Sequence, residues 1–170
     1  FDPRIALNGL AARRAAERRD PEAIDRIRAG VSQLLDLARE PESEAYVDAM
    51  YGVHRAVADC ACNPFLTRLV FLLNHQALRY AQLGLASTRR RQESSKNWKK
   101  MLLAIQAGDG DAAQAVAEEL ARSSRDTVIK LLAASELAAS AASHRAGTAA
   151  VAAVPTKRRA QAGRAARKRS

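Results

Sequence analysis

The stretch Asp20-Pro21-Glu22-Ala23-Ile24-Asp25-Arg26-Ile27-Arg28-Ala29-Gly30-Val31-Ser32-Gln33-Leu34-Leu35-Asp36-Leu37-Ala38 decides the fold class. It opens on a carboxylate able to accept from free helical N–H groups, followed by a proline at the first helical position, where the missing N–H costs nothing. Ile24, Ile27, Val31, Leu34, Leu35 and Ala38 then recur at three-and-four spacing, which is one face of an amphipathic helix ending before Pro41. The same signal recurs on either side. Asp2-Pro3 opens a first helix, and Asn63-Pro64 opens a fourth that carries Phe65, Leu66, Leu69, Phe71, Leu72, Leu73, Leu78 and Leu83. That fourth helix is apolar nearly all round, which predicts a central position or a subunit interface.

Between these, a third helix is expected from about Ser43 to Cys62, with Tyr46, Met50, Val53, His54 and Val57 on one face. The polar stretch Ser87 to Ser95 reads as a loop or a frayed end. Trp98, Met101, Leu102 and Ile105 mark a fifth helix. Gly108-Asp109-Gly110-Asp111 breaks the pattern and starts a sixth, carrying Val116, Leu120, Val128, Leu131 and Leu132. No Val/Ile/Thr alternation long enough for a strand is present. The expectation is an all-α, antiparallel bundle of about six to seven helices, with residues 1–137 as the folded domain and 138–170 as an Ala-rich, then basic, tail that extends the last helix briefly and ends disordered.

Composition agrees. The chain has 170 residues, room for one domain with an appendage. Aromatics are only 4% against 48% hydrophobic residues, so Ala, Leu, Val and Ile must build the interior, which favours helix over sheet. The longest run of large apolar residues, Leu69 to Leu73, is far too short to cross a bilayer. The chain opens at Phe1 without a basic-then-apolar leader, and the expectation is a cytoplasmic protein or a piece of one. Cys60 and Cys62 are too close to bridge easily and too few for a Cys-only zinc site, so they read as packing thiols.

The net charge of +10 is uneven. Lys157, Arg158, Arg159, Arg164, Arg167, Lys168 and Arg169 fall in an acid-free terminus, leaving 21 basic against 18 acidic residues in 1–154, a net +3. Nucleic-acid affinity, if the charge signifies it, belongs first to that tail, where it would be non-specific and salt-sensitive; the bland alternative is a solubilising terminus. Nothing in the sequence suggests an enzyme. There is no phosphate-cradling glycine loop, nucleophile elbow, His-Glu-x-x-His or Cys-x-x-Cys, and the three histidines are His54, His75 and His144. His75 and Arg79 lie one turn apart on the fourth helix and are candidates for an anionic ligand group, although such pairs are more often solvated edges.

Several segments agree in order and distance with a known family. Met50-Tyr51-Gly52-Val53-His54 is followed, nine residues after the histidine, by Asn63-Pro64, with Cys62 where glycine is usual; Trp98 to Asp109 then supplies Ala104-Ile105 and Gly108-Asp109. Over roughly residues 7 to 132 the chain resembles the FCD domain, the C-terminal effector-binding domain of FadR-type GntR-family transcription regulators. The resemblance implies a homodimeric bundle binding a small-molecule effector, in a regulator whose DNA is read by an N-terminal winged helix-turn-helix that this chain does not include. It also implies a divalent metal held by one Asp and three His. Those positions fall here on Met50, His54, Trp98 and Glu119, of which only His54 is kept and Glu119 could substitute. Met50 is a weak donor and Trp98 cannot ligate.

The reading that follows is a metal-free cavity, with no cofactor, in which Met50 and Trp98 form walls and His54 and Glu119 orient a carboxylate or acyl effector. A cavity of roughly 300 Å³ or more beside His54 and Trp98 is expected of such a sensor. The alternative is a helical oligomerisation or scaffold protein with a filled core, working through its basic tail.

Overall fold

Three of the helix starts are built as the sequence dictates. The Asp20 carboxylate accepts from the Ala23 N–H at 2.9 Å, Asn63 accepts from Phe65 and Leu66 N–H at 3.1 Å each, and Asp109 accepts from Ala112 N–H at 2.9 Å. In this computed structural model the described residues are 2–152, with side chains left undescribed for Arg79 and for 138–152. Six helices cover them: α1 (Asp2–Arg18), α2 (Pro21–Leu37), α3 (Glu44–Cys60), α4 (Pro64–Gly84), α5 (Thr88–Ala107) and α6 (Gly110–Ala152). No strand occurs among the described residues. The architecture is an all-α bundle of helices joined by short links.

Side-chain size explains the packing. α1 presents Ala11, Ala12, Ala15 and Ala16, all buried, and so lies close against α3, α4 and α5. α2 packs on α3 and α5 through Ile27, Val31 and Leu34, against Tyr46, Val47 and Val53 of α3 and Met101 and Ile105 of α5. Fully burying a side chain such as Leu34 is worth about 1.5–3 kcal/mol. Gly30 is required by the α2–α3 approach, since a Cβ there would stand 2.6 Å from a Val53 methyl. Gly108 ends α5 in the left-handed region at φ 77°, which glycine adopts without strain.

The largest departure from expectation lies at Ser87–Ser95, which is not a loop. Ser87 caps α5 by accepting from Arg90 N–H at 3.3 Å, and the helix runs on through Thr88-Arg89-Arg90-Arg91. Its inward face is polar: Arg91 is fully buried, and Ser94 and Ser95 are buried beside it. Arg91 donates through Nη1 to the carbonyls of Leu85 and Ala86 at 2.9 and 2.8 Å, and through Nη2 to Glu40 and Pro41 carbonyls and the Thr88 hydroxyl. One side chain thus ties the α2–α3 link to the α4–α5 link.

Four smaller corrections follow. α4 is not central: it packs on α1 and α3, and leaves Phe65, Leu72 and Leu83 more than half exposed. Cys60 is buried, donating to the Ala15 carbonyl, but Cys62 is exposed beyond the end of α3 at φ 49°, so only one of the thiols packs. Leu131 and Leu132 are exposed; the α6 stripe is carried by Ala113, Ala117, Ala121 and Val128, with Val116 and Leu120 half-buried against the core as expected. α6 also continues to Ala152, well past Leu137, through an Ala-rich stretch of strong helix formers. The chain divides into two compact units, Phe1–Ala133 and Ala134–Ser170, and the site described next lies in the first. The seven basic tail residues, Lys157 to Arg169, lie outside the described residues.

A donor-lined chamber as the candidate functional site

Met50, His54 and Trp98 are brought together. Met50 and His54 are one turn apart on α3, and the His54 ring meets the Trp98 indole of α5 edge-on, with centroids 4.6 Å apart and planes at 83°. They border a chamber that α1 and α4 complete with Arg4 and Asn74, and α5 and α6 with Arg90, Ser94 and Ser123. Its volume is about 40 Å³, well short of the 300 Å³ expected, because the indole fills much of the space. That leaves room for only a few water-sized groups.

Arg4 dominates the chamber and was not anticipated from the sequence. It is 8% exposed, and no carboxylate pairs with it among the described residues. Its Nε donates to Asn74 Oδ1 at 2.8 Å, and Asn74 and Asn8 exchange hydrogen bonds at 3.1 and 3.3 Å. Its Nη1 is buried and has no partner. Two more orphaned donors border the same space: Arg90 Nε and the Trp98 indole N–H. Arg90 is charge-balanced at its outer end by Glu93 at 3.1 Å and donates to Ser123 at 3.1 Å, whereas Arg4 has no such compensation. Among the described residues no acid lines the chamber.

This arrangement sets the protonation states. Burial, reinforced by the Arg4 charge, lowers the His54 pKa to about 3, so its imidazole is neutral at pH 7. Burial also pushes the Tyr51 phenol up to about 12; it remains a donor and gives its hydrogen bond to the Asn74 carbonyl. Desolvation lowers the Arg4 pKa from its ordinary value, but a guanidinium keeps its proton. A neutral imidazole, a thioether, an indole and an uncompensated cation, without a carboxylate, do not fit a divalent metal. Among the described residues no group of three or more His, Cys, Asp or Glu is placed to hold one.

The other sequence candidates lie elsewhere. Glu119 is exposed and does not border the chamber; the buried face of α6 runs through Ala117 and Ala121, and Glu119 points away from it. His75 is exposed on α4, stacked on Phe71 with centroids 6.0 Å apart, also outside the chamber. The Arg79 side chain lies outside the described residues, so the pair cannot be placed together.

By architecture this is a helical-bundle domain with a small, positively charged chamber in its interior. The chain matches the family model of the FCD domain over residues 1–123 and belongs to that family. FCD domains are the effector-binding regulatory domains of GntR-family transcription regulators. No curated relative matches the chain.

Proposed function

We propose that the chain is the effector-sensing, dimerising part of a cytoplasmic bacterial regulator of the FadR subfamily, non-catalytic and metal-free, whose effector is a carboxylate. The observation that carries this reading is that three residues lining one space, Arg4, Arg90 and Trp98, each carry a buried donor without a partner, Nη1, Nε and Nε1, while no acid lines that space among the described residues. An unmet buried donor costs about 1–3 kcal/mol, and a carboxylate satisfies several at once. Met50 and Trp98 serve as walls and His54 as a neutral polar contact. Glu119, His75 and Arg79 are left as peripheral candidates. Effector binding would alter the placement of two subunits and, through them, of the attached winged helix-turn-helix domains on DNA.

Dimerisation rests on α4. Phe65, Leu69, Leu72, Gln76 and Leu83 repeat at the spacing of a coiled-coil seam, and Phe65, Leu72 and Leu83 are 73%, 52% and 54% exposed. Leu72→Glu should convert a dimer to a monomer in sedimentation equilibrium; a wild-type chain already monomeric at high micromolar concentration refutes the seam.

The small chamber volume favours the other reading, a filled bundle that only oligomerises and binds nucleic acid through its basic tail. Calorimetric titration with acetate, a carboxylate of only four heavy atoms, separates the two. Millimolar-range binding that weakens at least tenfold in Arg4→Met supports the sensor. Absence of heat with acetate and its homologues, together with salt-sensitive DNA binding that is lost on deleting residues 155–170, supports the alternative.

A further inference from the structure

The chamber can hold a head group but not a whole ligand, and the structure has a place for the remainder. Between α3 and α4 runs a second space of about 300 Å³, within the range of small-molecule pockets. Its own walls are Ala58, Val70 and Phe71 together with Thr67, Arg55 and Arg68, its surface is mostly apolar, and it shares Tyr51, His54 and Asn74 with the inner chamber. Among the described residues the Tyr51 phenol is held across that shared wall by its hydrogen bond to the Asn74 carbonyl. Polar demand therefore lies on one side of the partition and apolar surface on the other. Val70 is 3% exposed, whereas Phe71 is 49% exposed.

We infer that the ligand is an amphipathic monocarboxylic acid, its carboxylate on Arg4 in the inner chamber and its apolar chain passing beside Tyr51 into the α3–α4 groove. This rests on the carboxylate reading above and goes beyond it by fixing the chemistry of the rest of the molecule. A sugar acid or a short hydroxy acid would leave the apolar surface of Ala58, Val70 and Phe71 uncovered. An alkyl or aryl chain gains burial with every carbon.

The test is a chain-length series of acetate, butanoate, hexanoate and octanoate, titrated calorimetrically into the whole chain. Affinity should rise about fourfold per methylene until the groove is full, and octan-1-ol should bind at least about a hundredfold more weakly than octanoate. Phe71→Glu, at a half-exposed position that spares the core, should lower the ratio of octanoate to acetate affinity at least tenfold. A Phe71→Ser variant, checked by thermal melting, repeats the measurement without adding charge. Acetate binding with a flat series would overturn this inference and leave the carboxylate reading standing. No binding by any member would remove both. Octanoate binding that survives Arg4→Met but is lost in Arg68→Gln, at the groove mouth, would reverse the orientation and overturn the proposal.

Discussion

Arg91 and Arg4 are both buried guanidinium groups without a carboxylate partner, and they do opposite things. Arg91 directs both terminal nitrogens into carbonyl oxygens of two interhelical links and the Thr88 hydroxyl, and only its Nε is buried without a partner. Among the described residues Arg4, which lines the chamber, is bonded through Nε alone, and its Nη1 is buried without a partner. The difference shows when a buried cation is structural: its partners are fixed by the backbone and it completes them. A cation whose partners are missing from the fold is held ready for something else. Fold-holding and ligand-holding arginines are told apart here by what their terminal nitrogens touch, since burial is nearly the same.

Substitution by an isosteric apolar residue should separate them most sharply. Arg91→Met leaves several buried carbonyls without donors and should cost about 3–5 kcal/mol in urea-induced unfolding. Arg4→Met removes an uncompensated buried charge and one orphaned donor, and should change stability by no more than about 1 kcal/mol. Equal losses for the two would mean that Arg4 also holds the fold together, and the contrast would fail.

Acid titration probes the chamber side alone. The native His54 pKa of about 3 lies below the unfolded value near 6.5, so as pH falls through 6.5 the unfolded chain takes up a proton that the native one refuses. Stability from this group is complete above pH 6.5 and is lost progressively as pH falls toward 3. Between pH 7 and pH 5 the loss should be about 2 kcal/mol, and it should be missing from His54→Phe when the two unfolding curves are subtracted. A wild-type curve parallel to that of the variant would show that His54 is solvated and that the chamber is open to water.

The same contrast explains what the sequence made legible. The apolar faces of α2 and α3 and the cap-then-proline starts at Asp20 and Asn63 were readable because apolar periodicity and capping are local properties. The start of α5 was not, because there the inward face is Arg91, Ser94 and Ser95, and a polar stripe at helical spacing is indistinguishable from a solvated loop until its partners are known. Of the site, Met50, His54 and Trp98 were reached through family spacing. Arg4 was missed because an arginine near a helix start usually faces water. The available signal was its position one turn before Asn8, on the face that continues into Ala11, Ala12 and Ala15. Glu119 could have been set aside from sequence alone, since Ala113, Ala117 and Ala121 define the inward face of α6 and a residue two past Ala117 lies nearly opposite.

The smallest expected effect is also the most discriminating about the chamber. The Trp98 indole is 2% exposed, yet its N–H has no acceptor, an arrangement that tertiary packing alone does not favour. Trp98→Phe removes the orphaned donor while keeping most of the ring, so the loss of buried area and the relief of the unmet hydrogen bond oppose each other. Thermal unfolding should therefore move by no more than about 1 kcal/mol. If the N–H is directed at a bound carboxylate, acetate affinity should nevertheless fall about tenfold or more, the worth of one hydrogen bond to a charged group. Unchanged affinity would place the indole among the walls and leave Arg4 as the anchor. A stability loss of about 3 kcal/mol or more would make Trp98 a core residue like Ile105, and would move the boundary between the packed and the ligand-holding parts of the bundle inward to Arg4 itself.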